Sequence, residues 1–255
     1  MLLNQEKLFT TVTDRTRDRI YAAPLEEIVD FRFNSEVAGV FPDMIRRSVP
    51  GYDTLIALIG MLAGEYAQAG SVCYDLGCSV GAATLSMANR IHQSDCRILA
   101  VDNSMDMLDR CRQNLHASSP SVPIDLVCSD LRDIPVSAAS VVVLNFTLQF
   151  VPLSERGQVI RDIYEGMNEG GILLISEKIV FDNHVINERM TELHHVFKRA
   201  NGYSELEIAQ KRTALEKVLL PETADTHLAR LAEAGFRDCH TYLQCLNFMS
   251  FMAIK

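Results

Sequence analysis

Apolar and polar positions along the chain follow two rhythms. Short, nearly continuous apolar runs at Val72–Leu76, Arg97–Val101, Ile124–Val127, Ser140–Asn145 and Ile172–Ser176 predict strands buried on both faces. Between them, apolar residues recur at helical spacing over Ala82–Ile91, Ser104–His116 and Ser154–Met167. The last of these is expected to stop at Asn168-Glu169-Gly170-Gly171. Strand alternating with helix predicts an α/β fold, a doubly wound and mostly parallel sheet with crossover helices on both faces.

The flanks read differently. Residues 1–20 carry polar residues without periodicity and are expected to be a disordered leader on which no chemistry depends. Residues 21–255 are expected to form one α/β domain, with 21–70 as a helical cap. Helical spacing runs there from Phe31 to Gln68 on both sides of a break at Ser48-Val49-Pro50-Gly51. After Glu177 the alternation lapses. Asn187–Ala200 and Ser204–Val218 both look helical and meet at Asn201-Gly202, which predicts an inserted helical hairpin over 183–218. Thr223–Ala234 is a further helix stopped by Gly235, and Phe236–Leu243 with Leu246–Ile254 read as an antiparallel ending.

Composition narrows the class. The chain has 255 residues with 48% hydrophobic and 22% charged, enough for a substantial core and incompatible with a disordered or fibrous protein. With 24 Lys and Arg against 33 Asp and Glu, the net charge of −9 argues against wrapping nucleic acid over the whole surface. No apolar run reaches the roughly 20 residues of a bilayer span, and the polar start resembles no signal peptide, so a cytoplasmic protein is expected. The seven cysteines are scattered without zinc-finger spacing; no metal is expected, and buried thiols are favoured over disulfides.

Four features carry candidate chemistry, all at carboxyl ends of predicted strands, where open α/β sheets bind ligands. The first strand enters Asp75-Leu76-Gly77-Cys78-Ser79-Val80-Gly81 just before a helix. Gly77 and Gly81 allow close backbone approach, and the helix N-terminus offers free N–H groups. A ligand-free tight turn is compatible with that motif alone, which departs from both the P-loop and G-x-G-x-x-G. The second strand ends at Asp102-Asn103, twenty-one residues past Gly81, where a carboxylate can hold ribose hydroxyls. Asp130-Leu131 follows the third strand, suited to an adenine edge, and Asn145 leaves the fourth.

This set, with Leu231 to Phe236 before the antiparallel close, resembles the seven-stranded, Rossmann-like S-adenosylmethionine (SAM)-dependent methyltransferase superfamily. A closer resemblance lies in Phe41-Pro42-Asp43-Met44-Ile45, Arg47-Ser48-Val49-Pro50-Gly51-Tyr52, Leu144-Asn145-Phe146-Thr147-Leu148-Gln149-Phe150 and the stretch Phe197 to Glu207. These words are similar to the carboxy-S-adenosyl-L-methionine synthase family over roughly residues 20–255.

The resemblance implies conversion of SAM and prephenate into carboxy-SAM and phenylpyruvate, with no metal. It also implies a homodimer, and a functional link to a tRNA uridine carboxymethyltransferase acting at the wobble position, without direct nucleic-acid or membrane binding. Family positions carry over to Tyr52, Gly77, Cys78, Ser79, Asp102, Asn103, Asp130, Leu131 and Asn145 for SAM, and to Arg212 as the catalytic arginine facing the new carboxylate. The predicted hairpin supplies Lys198, Arg199, Lys211 and Arg212 as cations for the carboxylates, and Arg199 and Tyr203 are further prephenate-side candidates on position alone. The adjacent His194 and His195 read as a protein base or as simply packed or surface histidines, and they are left out of the catalytic set. Two rivals remain: a methyltransferase acting on a small molecule or tRNA, and a non-catalytic nucleotide-binding module.

Overall fold

A computed structural model describes residues 16–255. The five parallel strands are β1 (Val72–Leu76), β2 (Arg97–Asp102), β3 (Ile124–Cys128), β4 (Ala139–Asn145) and β5 (Met167–Val180). A two-residue β6 (Glu222–Thr223) pairs with the far end of β5, and β7 (Arg237–Cys245) and β8 (Phe248–Ile254) close the sheet antiparallel. The strand order β3-β2-β1-β4-β5-β8-β7 is the seven-stranded, doubly wound arrangement expected. The order reverses between β1 and β4, which opens a crevice beyond their carboxyl ends.

Period-2 alternation explains the two cores. On one face Val141, Val143, Ile172 and Leu174 pack with Leu55, Ile59 and Ala63 of α2 (Tyr52–Tyr66) and Met87 of α3 (Ala82–Ala88). On the other, Val142, Leu144, Leu173 and Ile175 meet Ile160 and Ile163 of α5 (Leu153–Gly166) and Leu231 of α8 (Ala224–Ala234). Each fully buried Val, Leu or Ile contributes about 1.5–3 kcal/mol, so both faces must be apolar along the central strands.

Above the crevice stand α1 (Ser35–Ser48) and the hairpin α6 (His184–Ala200) and α7 (Glu205–Leu215), while α4 (Met105–Ser118) packs on β2 and β3 through Leu108 and Cys111. Local signals set their starts. Asn34, Ser104 and Asn183 side chains cap α1, α4 and α6, and Ser204 with Glu207 forms a capping box on α7. Among the described residues, no helix is long and apolar enough to cross a membrane.

Four expectations are corrected. The leader does not extend to residue 20; residues 1–15 lie outside the described residues, but Asp18 is 2% exposed. Its Oδ2 accepts from the Tyr203 hydroxyl at 2.5 Å, and its carbonyl accepts from Arg47. The cap is helical only from Ser35. Before it runs an irregular strap held by side chains, as where Gln210 donates to the carbonyls of Tyr21 and Ala23. Helix α3 ends at Ala88, because the N–H groups of Arg90 and Ile91 both turn back to the Met87 carbonyl. Ile91 then serves as a buried plug, which is why the apolar pattern outlasts the helix. Finally, Asn168–Gly171 does not stop α5. The chain leaves the helix at Met167 and enters β5 directly, with the extra residues absorbed where the pairing jumps from Ala139↔Met167 to Val141↔Ile172.

Arg156 of α5 clamps the segment after β4. It is fully buried and donates to the carbonyls of Val151, Gln149 and Leu220 while pairing with Glu222 at 2.5 Å. An Arg156→Met substitution orphans three carbonyls, so unfolding in urea should show about 3 kcal/mol lost. A loss under about 1 kcal/mol would mean that water replaces the guanidinium.

Candidate functional site

The crevice is a cavity of about 420 Å³ beyond the carboxyl ends of β1 to β5, roofed by α1, the hairpin and the aromatic strap residues Phe31 and Phe33. All nine positions assigned to SAM line it. From the loop after β1 come Gly77, Cys78 and Ser79; from β2, Asp102 and then Asn103; from beyond β3, Asp130 and Leu131; from β4, Asn145; and from α2, Tyr52.

Backbone conformation shapes the first loop. Gly77, Ser79 and Gly81 all have positive φ, at 87°, 51° and 87°. The Ser79 N–H, turned by this geometry, donates to Asp102 Oδ2 at 2.8 Å, while the Ser104 N–H donates to Oδ1 at 2.9 Å. Two backbone donors therefore aim the Asp102 carboxylate and leave each oxygen a further lone pair. Burial holds its pKa above the usual carboxylate range, against the pull of those two bonds.

Asp75 lies fully buried at the floor. Thr84 donates to its Oδ2 at 2.5 Å, while Oδ1 has no partner among the described residues. Burial pushes its pKa up to about 6, with Asp102 adding to the rise. The Asn145 Oδ1 is likewise buried and unpartnered. Two orphan acceptors in one cavity wall call for a ligand that donates hydrogen bonds or carries positive charge. Tyr52 is 7% exposed, and burial and Asp75 together raise its phenol. The Asp130 carboxylate is instead engaged: the Arg132 guanidinium pairs with it at 2.7 Å and holds it below its usual pKa. Only its remaining lone pairs face a ligand.

The residues assigned to the second substrate sit differently. Tyr203 is buried away from the cavity lining, its hydroxyl on Asp18 and its ring under Arg47 at 3.9 Å. Arg199 pairs with Glu192 and Glu205 on the outer face of the hairpin. In this chain both fasten the hairpin and neither lines the cavity. Arg212 is exposed in the last turn of α7 and does not line the cavity in this chain. Its charge nevertheless reaches the basic end, contributing to the lowered pKa of Lys178 and His195.

That basic end was legible only in part: the hairpin cations Lys198 and Lys211 stood out in the sequence, and Lys178 did not. Lys178, Lys198, Lys211 and His194 all line the cavity. His194 binds the Ser48 carbonyl through Nε2 at 2.7 Å, and burial lowers its pKa to about 3, so the ring is neutral and donates. The sequence signal for this end is the pair of hairpin lysines, Lys198 and Lys211, on either side of the Asn201-Gly202 turn.

Comparison with known proteins decides the family. A carboxy-S-adenosyl-L-methionine synthase from Geobacter sp. (strain M21) is 55% identical over 242 residues, covering 94% of this chain and 99% of that protein. The chain belongs to the carboxy-S-adenosyl-L-methionine synthase family. The synthase from Escherichia fergusonii is 51% identical over 239 residues, covering 94% of this chain and 97% of its own. Residues 73–171 match the methyltransferase domain family. Among solved structures, a putative SAM-dependent methyltransferase from Methanococcus maripaludis aligns with TM-score 0.57 at 18% identity, covering 91% of this chain and 97% of the other. Human N-acetylserotonin methyltransferase in complex with SAM aligns at 0.56 and 17%, covering 95% and 63%. These two likenesses establish the synthase family's methyltransferase fold in this chain and nothing finer.

Proposed function

We propose that the protein converts SAM and prephenate into carboxy-SAM and phenylpyruvate. One observation carries the reading beyond family membership: a single cavity has carboxylates and orphan acceptors at one end and unpaired ammonium groups at the other. The acceptors suit SAM, which brings an ammonium and a sulfonium, with Asp102 suited to the ribose hydroxyls. The balance needs no outside reagent. Prephenate loses its ring carboxylate as carbon dioxide and its hydroxyl as hydroxide, and the ring becomes aromatic. Hydroxide takes a proton from the sulfonium methyl to give water, and the carbon left behind adds to carbon dioxide. The residues here orient both substrates, keep bulk water out and stabilise the new carboxylate, a task for which Arg212 is proposed.

Mass spectrometry of SAM incubated with the protein, with and without prephenate, is the test. A prephenate-dependent nucleoside heavier by one carbon dioxide, with matching phenylpyruvate, is expected. Only S-adenosylhomocysteine, formed with some other acceptor, would make the protein a methyltransferase. The same reading places it in the reducing cytoplasm as a homodimer feeding a tRNA uridine carboxymethyltransferase. In its support, the cysteines of the chain are free, and α6 leaves Val185, Ile186, Leu193 and Val196 exposed on one side.

A pH prediction follows from Asp75. Its carboxyl titrates near pH 6, and only the ionised form favours a cation beside Oδ1. SAM affinity should be flat above pH 7 and fall as pH drops through 6, by up to about tenfold per unit. Thr84, Asp102 and Tyr52 share that environment, so Asp75→Asn, which keeps the shape, should flatten the profile measured by calorimetry. A profile unchanged in the variant would move the titration to another group.

A further inference from the structure

The sheet itself sorts charge along its carboxyl edge. Read in strand order, the residues facing the cavity are Asp130 past β3, Asp102 on β2, Asp75 on β1, Asn145 on β4 and Lys178 on β5. Asn145 lies opposite Ser176, so Lys178 stands one strand over and two residues further up the cavity wall. Lys198 of α6 and Lys211 of α7 reach the same cavity from the hairpin, at 9% and 6% exposure.

Buried ammonium groups are ordinarily paired. Here the Lys178 and Lys198 ammonium groups have neither an acid nor a hydrogen-bond acceptor among the described residues. Lys211 has only the Ser48 hydroxyl at 3.1 Å and Asp18 at 3.7 Å. Burial and the other two lysines bring Lys198 down to about 7, burial with Arg47 brings Lys211 to about 8, and burial with Arg212 lowers Lys178. Next to them the walls are aromatic, with Phe146 and Phe248 edge to face at 5.8 Å and His194 against Phe248 at 4.9 Å. Crowded cations beside flat apolar rings suit an anion that carries a ring.

We propose that Lys178 and Lys198, backed by Lys211, form the subsite that holds the carboxylates of a ring-bearing dicarboxylic acid, the second substrate, beside SAM. This deepens the function proposed above and rests on its placing SAM at the acidic end. Lys178 and Lys198 are binding residues in it; His194 is a positioning residue, tying α6 to the Ser48 carbonyl. The groups facing Lys198 are Lys178 from β5, Lys211 from α7, and His194 and His195 from its own helix; Asp18 lies behind Lys211. A dianion arriving among them raises their proton affinity, so binding takes up protons near neutral pH.

Three readings test it on the full chain: steady-state kinetics with prephenate, SAM binding, and calorimetry of phenylmalonate added to SAM-saturated protein. For Lys178→Gln and Lys198→Gln, the KM for prephenate should rise about thirtyfold or more, with SAM affinity within about threefold of wild type. Phenylmalonate should bind wild type with proton uptake, seen as a buffer-dependent heat, and should not bind either variant. Unchanged KM and unchanged phenylmalonate binding in soluble variants would overturn the subsite while leaving the reaction standing. If wild type ignored prephenate yet phenylmalonate binding still required both lysines, the reaction would fall and the subsite would stand. Should the variants not fold, the wild-type calorimetry decides alone: no phenylmalonate binding, or binding without proton uptake, overturns the proposal.

Discussion

Replacing Gly77 by alanine is expected to lower SAM affinity at least about a hundredfold, close to 3 kcal/mol, with a smaller loss of stability. A Cβ at Gly77 would overlap Thr147 Oγ1 and Cγ2 and lie 2.9 Å from its Cβ. Thr147 is β-branched and follows β4 in the cavity wall, and its χ1 is stiff, so turning away from the new Cβ is costly. The φ of 87° adds strain that alanine tolerates poorly. Relief has to come from the loop, and the loop carries the Ser79 N–H that aims Asp102. Two separate parts of the ligand site therefore shift together. Adding Thr147→Ala removes the two shortest contacts and leaves the φ strain, so the double variant should recover part of the affinity in a filter-binding or calorimetric titration. Full affinity in Gly77→Ala alone would show that this loop is not where SAM lies.

The contrast between Gly77 and Lys178 shows what a sequence can display. Gly77 belongs to a short word in which strand, turn and helix start follow one another within seven residues, so local rules suffice to place it. β4 is similarly plain, because burial on both faces forces an unbroken apolar run. Lys178 sits two residues beyond the last paired position of β4, and whether a lysine there faces solvent or a cavity depends on a hairpin that arrives from later in the chain. Lys198 and Lys211 have the same ambiguity, since a helical lysine reads as a solvated face unless the partner surface is known. Asp18 was hidden for another reason. Its segment has no periodicity to read, being fixed by single long-range bonds to Tyr203, Arg47 and Asp43. Tyr203 was a candidate on position alone, and position does not separate a structural lock from a contact to substrate. Asn168–Gly171 misled in the opposite sense: a glycine pair after a helix is a stop signal, but here the stop comes earlier and the glycines serve an irregular strand start.

Arg212→Ala is expected to lower carboxy-SAM formation by about 10²–10³-fold while leaving SAM affinity within about threefold, the pattern of a cation that meets charge only as the reaction develops it. The argument is electrostatic. On the proposed reading the new carboxylate forms in a cavity whose acidic end holds SAM, and an unpaired carboxylate in that setting is costly. Arg212 carries no ion pair with any described carboxylate, and its charge is felt at Lys178 and His195, so its guanidinium stands near the basic end with its fork unused. Its exposure in the single chain leaves two ways to reach the reacting carbon, within its own subunit or across to a second copy. Mixing the Arg212→Ala and Gly77→Ala proteins separates them. If the arginine serves the neighbouring subunit, a hybrid dimer contains one pocket with both an intact loop and an intact arginine, and activity should return to about a quarter of wild type after exchange. If it serves its own, every hybrid pocket lacks one of the two, and the mixture stays inactive. Full carboxy-SAM formation by Arg212→Ala alone would transfer the task of holding the product carboxylate to Lys178 and Lys198.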